Sequence, residues 1–138
     1  MLPLNKISKI VIHHSNNDNH TLDSIRILHV EKNGWEDIGY HWIIFQDGTI
    51  QPARSEKFQG AHVKNHNENS IGICLNGNLD NHPPTSKQIE TLLQFLKQKT
   101  KENNVPPENI LGHNEFPDVT KTCPGKFVNM NEIRDSIK

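Results

Sequence analysis

Apolar and polar positions change period along this chain, and each change marks an element. Lys9 to His14 is a short apolar run, Ile10-Val11-Ile12, ending in two histidines. It reads as a buried strand. From about Leu22 the apolar residues Ile25, Leu28 and Val30 recur near helical spacing. Thr21 or Asp23 can cap that helix, and Gly34 after Asn33 stops it. Tyr40 to Gln46 is rich in aromatic and β-branched residues and reads as a strand. Asp47-Gly48 predicts a tight hairpin turn, with Thr49-Ile50-Gln51 beginning the return strand.

Phe58 to Asn69 has little periodicity and is expected to be a long loop, a kind of segment that often carries function. Ser70 to Asn76 alternates cleanly. Ile71, Ile73 and Leu75 share one face, and Gly72, Cys74 and Asn76 share the other. After Pro83-Pro84, Thr85 and Gln88 form a capping-box pattern. Ile89, Leu92, Leu93 and Leu96 then mark one side of an amphipathic helix to about Asn103. Pro106-Pro107 precedes Ile110-Leu111, which leads into His113, and a last short helix is expected near Asn131 to Ile137. Strands and helices alternate around one hairpin. This predicts an α/β fold, a mixed β-sheet flanked by helices. With no internal repeat and no linker, residues 1–138 are expected to form one domain.

Composition narrows the function classes. Lys and Arg number 15 against 16 Asp and Glu, so the net charge is -1 and no bulk attraction to nucleic acid or anionic membrane is expected. Ile10-Val11-Ile12 is too short for a membrane span or a signal-peptide core. The protein is therefore expected to be made in the cytosol, and to be monomeric. Two cysteines, Cys74 and Cys123, do not make a disulfide framework. Cys74, inside a regular strand, reads as a small packing residue.

The chemistry concentrates between Gly112 and Gly125, where His113, Lys121 and Cys123 share one loop. Two readings of that loop are open. His113 and Cys123, joined by a nitrogen from the His13-His14 strand end, supply a donor set suited to zinc. Three protein ligands leave a fourth position for water, whose pKa the metal lowers toward ~7. Lys121 would then stabilise an oxyanion beside the metal. Alternatively Cys123 is a nucleophile with His113 as its base. Pro124 directly after Cys123 argues against the helix N-terminus at which thiolates are usually activated.

Several short motifs in order favour the first reading. They are Ile12-His13-His14-Ser15, His29 with Gly34-Trp35, Asp37-Ile38-Gly39-Tyr40-His41-Trp42 and Asp47-Gly48-Thr49. Gly60-Ala61-His62, Ser70-Ile71-Gly72-Ile73, Gly112-His113 and Lys121-Thr122-Cys123-Pro124 follow. From about Ile10 to Phe127 the chain resembles zinc-dependent N-acetylmuramoyl-L-alanine amidases of the type 2 class. Peptidoglycan-recognition proteins and small phage lysozymes that are amidases belong to the same group. The resemblance implies one Zn²⁺ held by His13, His113 and Cys123. His13 rather than His14 matches the first histidine of the family motif, and neighbouring strand residues point opposite ways. It implies Tyr40 and Lys121 as catalytic residues, and His62, Trp35 and His41 as candidates for substrate contact. The reaction implied is hydrolysis of the amide between N-acetylmuramic acid and L-alanine, by an endolysin-like enzyme acting on the cell wall after release. Bacterial peptidoglycan or muropeptides are the implied partners.

Two departures refine this. The muropeptide-recycling branch carries a glutamate on the strand matching Ser70 to Asn76, where this chain has Cys74 and Asn76. That favours the tyrosine-using, wall-lysing branch. Relatives tend to have Gly-Tyr where this chain has Asn65-His66. Asn still permits a left-handed turn, but one aromatic contact is gone. The rival functions are a recognition module that holds peptidoglycan without cutting it, and an amidase with a second, regulatory protein-binding role. The first rival typically lacks the cysteine ligand.

Overall fold

The computed structural model describes residues 1–138. A five-stranded sheet runs in the order β3-β2-β4-β1-β5. The strands are β1 (Lys9–His14), β2 (Trp42–Ile44), β3 (Ile50–Pro52), β4 (Ser70–Leu75) and β5 (Ile110–Gly112). The inner pairings β2·β4, β4·β1 and β1·β5 are parallel, and only the hairpin pair β2·β3 is antiparallel. The mixed sheet flanked by helices is thus the architecture expected. No helix is long and apolar enough to cross a membrane.

Strand alternation sorts the side chains onto two faces. Ile10 and Ile12 of β1, Ile71, Ile73 and Leu75 of β4, and Ile110 of β5 point to one side. There they meet Leu92 and Leu96 of α2 (Ser86–Asn103) and Met130 and Ile133 of α3 (Met130–Ile137). This is the main core. The opposite face carries Val11 packed with Val63 and Phe116, and Cys74 packed with Ile25, Ile38 and Ile43. It is covered by loops and a single short helix, so it has room for a cleft.

The capping box at Thr85 and Gln88 forms as its pattern predicts. Gln88 is fully buried, and its Nε2 also donates to the carbonyls of Ile44 and Asn76. The start of α2 is thereby tied to the ends of β2 and β4. α3 begins one residue earlier than expected, because Asn129 caps it by accepting from the Glu132 amide. β2 is shorter than the expected Tyr40–Gln46. Tyr40 and His41 still accept from Arg54 and Ala53, but irregularly, so regular pairing starts at Trp42.

The first helix departs most from expectation. Thr21 caps α1 (Leu22–Arg26), and the chain then widens into a π-helix, Ile27–Lys32. The amide of Asn33 reaches back five residues to the Leu28 carbonyl. Widening turns His29, not Val30, into the interior, where its Nδ1 accepts from the Gly39 amide at 2.9 Å. Gly34 stops the helix in the left-handed conformation, at φ 73°, as its position suggests.

One half-buried ion pair braces the far side of the sheet. Lys99 Nζ lies 2.9 Å from Glu56 Oε2 and about equally far from the Trp42 and Phe95 rings, at 5.4 and 5.5 Å. Trp42 Nε1 donates to the same carboxylate. Glu56→Ala would strand a buried ammonium, a loss tempered by Glu102 at 3.5 Å. Its expected cost is about 2 kcal/mol. Urea denaturation should show most of that loss recovered in a Glu56→Leu/Lys99→Met double variant. A Glu56→Ala midpoint equal to the parent's would remove the pair from the stabilising interactions.

Candidate metal centre and cleft

Parallel strands place their C-terminal ends along one sheet edge, the usual position of sites in such sheets. His13 is the penultimate residue of β1, on the Val11 face. His113 follows immediately after β5, the neighbour of β1. Cys123 arrives from the next loop, which is bound to the His113 turn by the Asn114 amide donating to the Cys123 carbonyl at 2.7 Å. The donor atoms of His13, His113 and Cys123 all lie within 4.8 Å of one another.

Each of the three is held from behind. His14, facing away, donates its backbone N–H to Cys123 Sγ at 3.4 Å. Asp80 grips the cysteine loop at both ends, accepting from Thr122 Oγ1 at 2.7 Å and from the Lys126 amide at 3.0 Å. Glu115 accepts from the Gly112 amide and from Arg134, which fixes the turn carrying His113. His13 Nε2 meets His62 Nδ1 at 2.9 Å.

The trio opens into a cleft of about 470 Å³ that Tyr40, Lys121, Trp35, His62 and His29 also line. A second arm, about 520 Å³, continues past Trp35, His62 and Lys121 toward Lys64 and Asp118. Rings crowd around His13, with Tyr40 centred 5.2 Å and His113 4.6 Å away. Tyr40 is held in place by its approach loop, because the buried Arg54 donates to the carbonyls of Asp37, Ile38 and Gln59.

Burial sets the charge states. It lowers the pKa of His13 and His113, reinforced at His13 by His62 and at His113 by the Lys121 ammonium, so both imidazoles are neutral and have a lone pair to give. It raises the Tyr40 hydroxyl well above its ordinary value, with Cys74 beside it as the next cause. The Cys123 thiol is pushed up to about 12 by burial, against the opposing His14 hydrogen bond and the Lys121 charge. A thiol so placed is a poor free nucleophile, which disfavours the Cys123–His113 dyad. It becomes a thiolate when a cation sits beside it.

The donor set fits zinc. Zinc bonds of ~2.0–2.3 Å give tetrahedral edges of roughly 3.3–3.8 Å, and His13 Nδ1 lies 3.7 Å from Cys123 Sγ. Both cysteines are free thiols. Cys74 is a buried packing residue, as its strand position suggests.

A sequence model of the family described as N-acetylmuramoyl-L-alanine amidase matches residues 3–126. The chain belongs to the N-acetylmuramoyl-L-alanine amidase family. It is 33% identical over 139 aligned positions to peptidoglycan-recognition protein SC2 of Drosophila melanogaster, covering 94% of this chain and 74% of that one. It is 46% identical over 77 positions to the endolysin of Escherichia phage T7, covering 52% of this chain and only 50% of the endolysin. In structure it superposes on N-acetylmuramoyl-L-alanine amidase LysC from Clostridium intestinale with a TM-score of 0.89. That match has 29% identity and covers 96% of this chain and 85% of LysC. The fold is therefore that of the amidases and recognition proteins.

The expected site residues divide into two groups. His13, His113, Cys123, Tyr40, Lys121, Trp35 and His62 line one cleft. His41 does not reach it. Its ring is fully buried, with Nε2 donating to the Phe58 carbonyl and Nδ1 accepting from the Gly72 amide. It cross-links two backbone segments in place of the substrate contact expected of it. His62 touches the cleft only by an edge, being 7% exposed, and both its ring nitrogens are engaged. Sequence reasoning missed Asp80. Its two bonds join positions 42 and 46 residues apart in the chain, and no local pattern announces them.

Proposed function

We propose that residues 1–138 act as one catalytic unit, a zinc-dependent amidase that cuts peptidoglycan between N-acetylmuramic acid and L-alanine in endolysin fashion. The observation that carries this is the convergence of His13, His113 and Cys123 donor atoms within 4.8 Å, in the cleft that Tyr40 and Lys121 line. A zinc ion held by those three residues supplies Lewis acidity toward a water and toward the scissile carbonyl. Tyr40, its hydroxyl kept protonated by burial, serves as a hydrogen-bond donor at the reacting centre and not as a base. Lys121 presents positive charge where the carbonyl oxygen becomes negative. The second arm, running past Trp35 toward Lys64 and Asp118, gives the stem peptide an extended seat. The enzyme would act on the wall after release from the cell that makes it.

Purified protein incubated with bacterial sacculi should release new L-alanine N-termini, and chelator should abolish that release. Binding to sacculi without new N-termini, even with added zinc, would identify a recognition module instead. Within the enzyme reading, Lys121→Ala should lower kcat by about 10²–10³-fold with zinc content unchanged. Tyr40→Phe should lower it by roughly 10-fold or more. A Lys121→Ala variant of full activity would remove the oxyanion role.

A further inference from the structure

His62 leaves a question that substrate contact does not answer. Its ring lies against β4, where a Cβ on Gly72 would come within 2.6 Å of it, so the strand is kept bare to admit it. Asn67 Oδ1 accepts from the amides of both His62 and Val63, which fixes the loop that delivers the ring. So much local constraint on a residue with almost no exposed surface points to a task performed inside the protein.

The protons can be counted along the chain of contacts. Ser70 has one hydroxyl proton, and it goes to the His66 carbonyl at 2.7 Å, a group that can only accept. Toward His62 Nε2, at 3.3 Å, the Ser70 oxygen is then the acceptor. His62, neutral in its buried setting, therefore carries its proton on Nε2 and a lone pair on Nδ1. That lone pair faces His13 Nε2 at 2.9 Å, so His13 is the donor there. The one remaining nitrogen of His13, Nδ1, is left bare, and it is the atom that lies 3.7 Å from Cys123 Sγ.

We propose that Ser70 and His62 are positioning residues that hold the His13 proton on Nε2, and so assign Nδ1 as its metal-binding atom. Resting on the zinc-amidase reading, this gives His62 the part an outer partner plays for a metal-ligating imidazole, fixing tautomer and ring orientation. It is unusual in that the partner is a second neutral histidine, itself set by a serine, and no carboxylate takes part. A neutral acceptor leaves the pair uncharged, which suits a site closed off by burial.

The test reads the tautomer directly. In metal-free protein with ¹⁵N-labelled histidine, the His13 ring should show the Nε2–H pattern of two-bond couplings. His62→Phe should mix the two tautomers and weaken zinc binding, measured by competition with a chromophoric chelator, by about 10–100-fold. His62→Gln, which returns an acceptor oxygen, should recover most of that loss. Ser70→Ala should weaken zinc binding by a smaller factor. An Nδ1–H pattern for His13 in the parent protein overturns the proposal, as does a folded His62→Phe variant that binds zinc within twofold of the parent. If His62→Phe does not fold, the parent's tautomer and Ser70→Ala decide. Because neither the coupling pattern nor the zinc competition needs turnover, an inactive protein that binds zinc and shows Nε2–H at His13 would sink the amidase reading and leave this one standing.

Discussion

Cys123→Ala and His113→Ala will each give a folded protein that no longer retains zinc and no longer releases L-alanine N-termini from sacculi. Both residues sit on loops anchored by other groups. Asp80 holds Thr122 and Lys126, and Glu115 with Arg134 holds the Gly112–His113 turn. Removing either donor side chain leaves those anchors in place, so the fold should survive. The donor set should not, because two ligands are too few for a zinc centre that must also keep a position open. The affinity loss should exceed the roughly 10–100-fold that loss of an outer partner costs. Activity should fall with it, to the level of chelator-treated parent. Metal analysis after dialysis and the sacculus assay check both halves. A Cys123→Ala protein with one zinc per chain and full activity would remove Cys123 from the donor set.

The sheet and its two helical covers were legible because each rests on a short-range pattern. The alternation of Ile71, Ile73 and Leu75 against Gly72 and Cys74 needs only the period of a strand. The Thr85–Gln88 box needs only the reach of two side chains across one helical turn. That period also says that only one of His13 and His14 can share the face of Val11, and the family resemblance singled out His13. What the sequence concealed depends on long-range packing. The π-helical widening at Ile27 has no residue signature, and it goes with a long-range contact, His29 Nδ1 accepting from the Gly39 amide. His41 and His62 look like groove residues on a linear map. Their partners, Phe58, Gly72, His13 and Ser70, come from other segments, and only the assembled fold shows that their nitrogens are already used.

That internal use of histidine predicts acid sensitivity well above the carboxylate range. His29, His41 and His62 are not candidate ligands, and burial lowers the pKa of all three. For His29 the fall is from 6.5 to about 4, caused first by burial and then by the charges of His20 and Arg54. Between those two values the unfolded chain binds a proton that the folded chain refuses. Stability therefore rises with pH across that window: it is full above about 6.5 and is lost as pH falls toward 4. His29 alone should withdraw roughly 2 kcal/mol by pH 5, and His41 and His62 act in the same direction. His82 moves the other way, raised by the Pro83 carbonyl and by Asp18, but it sits at the surface, where solvent screens such pairs. In metal-free protein, Tm should drop by at least about 8 °C between pH 7.5 and pH 5. His29→Gln, which keeps an acceptor for the Gly39 amide without titrating, should flatten part of that slope. A Tm constant to within about 2 °C over the same interval would show that these imidazoles are solvated enough to protonate in place. The hydrogen bonds from Gly39 and Gly72 would then not be what holds the loops around Tyr40.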